Sequence, residues 1–219
     1  MASDGKAGNE FGSQVAVDGN VIVATAPSGA GQEGASYVYH WDGLSWVEEQ
    51  KLVAPNGSEA TFGQSVDVCD GIMVIGGETV DGHGAAYIYR RVDTWWRAEQ
   101  WLGREHGVAG DEFAYSLSMQ DGEIVVGAPS ADERGAAYVY RWTDGQWAHT
   151  QTLIAAGNGN GSDFGRHVGH TLDGLGLIIG GSRADADGTT RAVAHVFQPS
   201  ADLWRPVAVL KPPAEAIHT

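Results

Sequence analysis

From Phe11 to Trp41 the chain reads FGSQVAVDGNVIVATAPSGAGQEGASYVYHW, with apolar and polar residues alternating in short runs. The runs break at Asp18-Gly19 and Ala26-Pro27 and restart after each break. A period of two is the mark of a half-buried strand, and Asp-Gly between two such runs marks a tight hairpin. The pattern is clearest over residues 113–156. FAYSLSMQ alternates, and EIVVGAP is apolar almost throughout, as in a strand covered on both faces. AAYVYRW is rich in aromatic and β-branched residues, and QWAHTQTLIAA follows a second Asp-Gly turn. Four strands are predicted there, with no convincing helix.

The same unit returns along the whole chain. Phe11-Gly12 recurs as Phe62-Gly63, Phe113-Ala114 and Phe164-Gly165, in steps of 51 residues. Asp18-Gly19 moves with it to Asp70-Gly71, Asp121-Gly122 and Asp173-Gly174. A tryptophan follows the third strand of each copy, at Trp46, Trp96, Trp147 and Trp204. The fourth copy departs most, with His195 and Phe197 in place of the tyrosine pair. Tandem four-stranded units that are too small to be stable alone predict an all-β fold, a β-propeller of four blades, each a four-stranded antiparallel sheet. The expected division is a polar leader over 1–8, blades over 9–61, 62–112, 113–163 and 164–213, and a tail over 214–219, all in one domain.

These landmarks carry a family resemblance. Phe-Gly, a strand, Asp-Gly, a strand ending Gly-Ala-Pro and then Gly-Ala-Ala-Tyr-Val-Tyr resemble the FG-GAP repeat, and residues 113–142 match it best. That repeat builds the propeller of integrin α subunits and of many bacterial secreted proteins. The resemblance implies an extracellular or cell-surface setting and a ligand face made by loops. Family repeats often carry a calcium loop between the first two strands. Here those turns read VDGN, CDGI, QDGE and LDGLG, too few oxygens for calcium, so neither a metal nor a cofactor is expected. Family propellers usually have about seven blades. Closure of four blades within one chain is the expectation here, and a homodimer completing an eight-bladed ring is the alternative.

Charge and composition narrow the partners. The formal net charge is −15, which argues against nucleic acid and anionic membranes and allows a cationic partner. No apolar run approaches a membrane-spanning length, and no signal segment opens the sequence. The single cysteine, Cys69, excludes an internal disulfide and is expected to be a buried thiol.

Candidate chemistry falls on the loops that vary between copies, those joining the second to the third strand and one blade to the next. Asp81, His83, Glu105, His106, Asp132, Arg134, Asp185 and Asp187 form the expected binding set on that face. Asp185–Gly188 resembles part of a calcium loop but lacks the full ligand set. Ser116, Arg166 and His167 are expected near the central channel, with His167 and His170 on opposite faces of their strand. The recurring tryptophans fit blade packing better than stacking on sugars. No nucleophile elbow, phosphate loop or zinc spacing is present. The expectation is a non-enzymatic module binding a protein or a carbohydrate. The rivals are an enzyme with a loop-built or channel site and a structural unit of a larger surface protein.

Overall fold

The computed structural model describes residues 2–4, 8–27, 34–55, 61–78, 82–103, 108–155, 162–171, 173–184 and 190–212. Among the described residues sixteen strands fold into four antiparallel sheets, each with its strands in chain order. Blade 1 holds β1 (Val15–Asp18), β2 (Val21–Ala26), β3 (Ala35–Trp41) and β4 (Trp46–Val53). Blade 2 holds β5 (Ser65–Cys69), β6 (Ile72–Glu78), β7 (Gly84–Val92) and β8 (Trp95–Leu102). Blade 3 holds β9 (Ser116–Gln120), β10 (Glu123–Ala128), β11 (Ala136–Thr143) and β12 (Gln146–Leu153). Blade 4 holds β13 (His167–His170), β14 (Leu177–Ala184), β15 (Thr190–Ser200) and β16 (Leu203–Leu210).

The Asp-Gly pairs make the hairpins. Asp121 and Gly122 both take positive φ, 48° and 74°, the combination a two-residue hairpin twist demands. The first strands β1, β5, β9 and β13 pack in succession, so they form the inner wall. The β1–β2 and β3–β4 turns, with their counterparts, lie on one face, and the variable connections lie on the other.

Each junction between blades is built alike. One blade gives a forward face of aliphatic side chains, such as Val74, Ile88 and Leu102, and the next gives a rear face of aromatics, Phe113, Tyr138, Tyr140 and Trp147. Val23, Val38 and Leu52 meet Phe62, Tyr87, Tyr89 and Trp96 in the same way. Val125, Val139 and Leu153 meet Phe164, Phe197 and Trp204. Two further devices recur at all three junctions. A glutamine on the fourth strand clasps the backbone of the next blade's tryptophan: Gln50 with Trp96, Gln100 with Trp147 and Gln151 with Trp204. A glycine before or at the start of the third strand lets the next phenylalanine approach. A Cβ at Gly34, Gly84 or Gly135 would lie 2.1, 1.9 or 2.2 Å from the carbonyl oxygen of Phe62, Phe113 or Phe164.

The expected closure of four blades on themselves is not formed among the described residues, where no buried cluster joins blade 4 to blade 1. Phe11 is 46 % exposed against 0, 2 and 0 % for Phe62, Phe113 and Phe164. Trp46 is 41 % exposed against 3, 3 and 5 % for its three counterparts. At the other end Ile178 and Leu210 are 40 and 55 % exposed, where Val125 and Leu153 are 0 and 4 %. Among the described residues the rear face of blade 1 is therefore covered over Tyr37 and Tyr39 but uncovered at Val17, Phe11 and Trp46, and the forward face of blade 4 is uncovered at Ile178 and Leu210.

Candidate functional site

Of the expected loop-face residues, Asp81, Glu105, His106, Asp185 and Asp187 lie outside the described residues. His83 is half-buried just before β7. Asp132 and Arg134 lie in the connection between β10 and β11, where Ala131–Glu133 form a 3-10 turn. Asp132, Glu133 and Arg134 are exposed, while Ala131 is buried beneath them.

This turn is held firmly. Asp132 and Glu133 take φ of 49° and 58°, two successive non-glycine residues in the left-handed region. Each such residue costs about 1–2 kcal/mol, which the surroundings must offset. Arg134 and Gly135 donate their N–H groups to the Ala131 carbonyl at 3.0 and 2.8 Å. Ser130 donates its N–H to the Asp111 carbonyl at 3.2 Å and its hydroxyl to Glu112 at 2.7 Å. The Ser162 hydroxyl donates to the Arg134 carbonyl at 2.6 Å. Gly110 donates to Gly82 at 3.0 Å, so segments of blades 2 and 3 are stitched into one surface. Burial, reinforced by the carboxylates of Asp111 and Asp132, pushes the Tyr138 phenol up. The described part of this face therefore gathers Asp111, Glu112, Asp132, Glu133 and Asp163 against Arg134 and Arg166.

The three expected channel residues part company. The Ser116 hydroxyl donates to the Gly165 carbonyl at 2.8 Å and is taken up by the junction of blades 3 and 4, as Ser65 is by Ala114 at 2.6 Å. Arg166 is exposed, 5.1 Å above the Tyr115 ring and 3.9 Å from Asp163. His167 is exposed on β13, while His170, on the opposite face, turns into the junction.

Around His170 lies a buried polar network that the sequence does not announce. The Ser118 hydroxyl oxygen is 2.9 Å from His170 Nδ1 and accepts the His170 N–H at 3.1 Å. His170 Nε2 is 3.2 Å from Glu123 Oε1, which also accepts from Trp204 Nε1 at 2.6 Å. Glu123 Oε2 accepts from Arg141 Nε at 2.7 Å. One tautomer serves both contacts: with its proton on Nε2 the ring donates to Glu123 and accepts the Ser118 hydroxyl proton at Nδ1. Burial pushes the Glu123 carboxyl up, but the bonds from His170, Arg141 and Trp204 outweigh it and hold the group below its ordinary value. Register supplies the one signal that could have found this network. Glu123 stands where Val21 and Ile72 stand in the earlier copies, and His170 stands where Val17, Val68 and Met119 do. Asp67, one junction back, accepts the Met119 N–H at 2.7 Å, and burial pushes its carboxyl up.

Trp96, Trp147 and Trp204 are buried in the junctions as packing residues. Cys69 is half-buried rather than fully buried, and desolvation pushes its thiol up. Among the described residues no group of three or more His, Cys, Asp or Glu side chains could hold a metal ion. Among the described residues no helix is long and apolar enough to cross a membrane.

Solved structures share this architecture at low identity. A triple arginine-to-alanine mutant of AofleA from Arthrobotrys oligospora aligns with a TM-score of 0.51 and 12 % identity, over 93 % of this chain and 59 % of that one. A protein from Lactobacillus plantarum aligns with a TM-score of 0.52 and 14 % identity, over 90 % of this chain and 70 % of that one. The fucose-specific lectin from Aleuria aurantia aligns at 0.45 and 14 %, over 89 % and 59 %. The chain thus spans about three fifths to seven tenths of these proteins' length. No curated protein matches the sequence. The FG-GAP repeat matches residues 1–39, 46–89 and 96–140, more than half of the chain and three of the four blades. The chain belongs to the FG-GAP repeat family.

Proposed function

We propose that the chain is a non-enzymatic binding module whose acidic loop face takes a protein or carbohydrate ligand bearing positive charge. One observation carries this reading. Asp132 and Glu133 are exposed on a turn that holds both in the left-handed region, and neither side chain gains packing there. Backbone strain kept on an ordered, solvent-facing acid pair points to a surface shaped for contact. The surplus of carboxylates around it favours a cationic group and speeds its approach. Asp81, Glu105, Asp185 and Asp187 extend the same acidic set in sequence, with His83 and His106 beside them. An extracellular or cell-surface setting goes with this reading. The test is an array of glycans and basic peptides probed with the wild-type chain and with Asp132→Lys/Glu133→Lys. The wild type should mark a restricted set of spots, and the variant should lose them by tenfold or more with its melting temperature nearly unchanged. Equal marking by both proteins would remove the loop face from the account.

A second reading, hydrolysis, has one observation in its favour: the order Ser118, His170, Glu123 is that of a nucleophile, a base and its orienting acid. Against it, the hydroxyl is buried and already accepts the His170 N–H.

A further inference from the structure

The open rear face of blade 1 has a specific complement. Val17 is 67 % exposed where Val68 and Met119 are 5 and 7 %, and Phe11 and Trp46 are 46 and 41 % exposed beside it, while Tyr37 and Tyr39 of the same face are buried. The described part of the leader lies on the outer part of this blade, where Ala2 packs against the buried cluster that holds Tyr37 and Tyr39. There Asp4 accepts the Tyr37 hydroxyl at 2.7 Å and pairs with Lys51 at 2.5 Å, and Ser3 donates to Glu48. At every formed junction such a face meets a blade with three properties: an aliphatic forward face, a glycine abutting the phenylalanine carbonyl, and a glutamine clasping the tryptophan backbone.

Blade 4 carries the first property and lacks the other two. Its forward face keeps Ile178, Val196 and Leu210. Register aligns Ala192, which pairs with Ser182, with Gly84, which pairs with Glu78. Ala208, opposite Val196, aligns with Gln151, opposite Val139. A methyl at the glycine position would sit about 2 Å from the incoming carbonyl, inside any allowed contact. Without the glutamine, the next tryptophan's N–H and C=O would be buried with no partner.

We infer that blade 1 is an acceptor for one further blade of this repeat type, one with the glycine and the glutamine intact, and that Ala192 and Ala208 stop blade 4 from filling that place on a second copy. Blade 4 is thus a poor partner for such a rear face, whereas a blade with the glycine and the glutamine meets its requirements. Both ends are apolar, so without this stop a heterologous contact would string chains head to tail.

Restoring the two residues tests the inference. Light scattering across a hundredfold concentration range should give the wild type a single-chain mass of 23.1 kDa throughout. Ala192→Gly/Ala208→Gln should show mass rising with concentration to two chains and beyond. Adding Val17→Lys, at a position exposed in the free chain, should return that variant to one chain. Ala208→Gln alone, also at an exposed position, should shift mass in the same direction and carries the test if the double variant loses its circular-dichroism signature. Three results would each overturn the inference. In the first, the restored variants stay at one chain. In the second, association survives Val17→Lys. In the third, the wild type already associates through Val17.

Discussion

Replacing Gln100 by alanine removes one clasp and leaves the apolar junction in place. The Gln100 amide donates to the Trp147 carbonyl at 2.8 Å and accepts the Trp147 N–H at 2.8 Å. Trp147 is 3 % exposed, so both of its backbone groups are stranded when the amide goes. A buried unpartnered polar group costs about 1–3 kcal/mol, and access of water along the rim would bring the pair toward the lower end. A total of about 2–4 kcal/mol follows. For a domain of this size each kcal/mol moves the melting temperature by roughly 2–4 °C, so Gln100→Ala should melt about 5–12 °C below wild type. Gln50→Ala and Gln151→Ala should fall in the same range, because their clasps are built from the same pairs of bonds. Gln100→Glu keeps the acceptor and loses the donor, so it should lie between. Thermal unfolding followed by circular dichroism makes the comparison. A fall of less than about 1 °C for Gln100→Ala would refute the claim that the clasp holds adjacent blades together.

Two further outcomes follow from the same junctions. Gly84→Ala would put a methyl 1.9 Å from the Phe113 carbonyl oxygen, so it should cost about 1–3 kcal/mol or more in denaturant unfolding, and a neutral result would mean that the blades can slide apart at no cost. Glu123 has a depressed pKa in the fold, so its contribution is fully present above the ordinary carboxylate value of 4.5 and is lost as pH falls through the lower folded value. Glu123→Gln should therefore be less stable than wild type at neutral pH by about 1.5–3 kcal/mol, and the gap should close on acidification; a gap that stays constant down to about pH 3 would contradict the assignment.

Much of the architecture can be read from the chain because the repeat is written in side chains with one job. Phe62, Phe113 and Phe164, the Asp-Gly turns and the Tyr-x-Tyr strands recur at fixed spacing, and each fixes a local geometry by itself. Ring closure is a different kind of property. It depends on how the end blades meet, and Ala192 and Ala208, which bear on such a meeting in the inference above, are ordinary alanines until register sets them beside Gly84 and Gln151. The polar junction is hidden for a similar reason. Glu123 follows a hairpin turn and reads as an exposed acid, yet the twist of blade 3 carries it under Trp204 of the next blade. A contact across 81 residues leaves no trace in local periodicity. The acidic character of the loop face is legible in composition, whereas the left-handed turn that displays Asp132 and Glu133 depends on hydrogen bonds from Gly135 and Ser162.

The binding reading is tested most directly by the footprint of a ligand on the folded chain. Amide hydrogen exchange should be measured with and without the strongest spot from the glycan and basic-peptide array. The account predicts slowed exchange in residues 108–112, 130–135 and 162–164, with no change in the hairpins at 120–123 and 142–146 on the opposite face. Protection confined to those hairpins, or to the polar junction around His170, would contradict it.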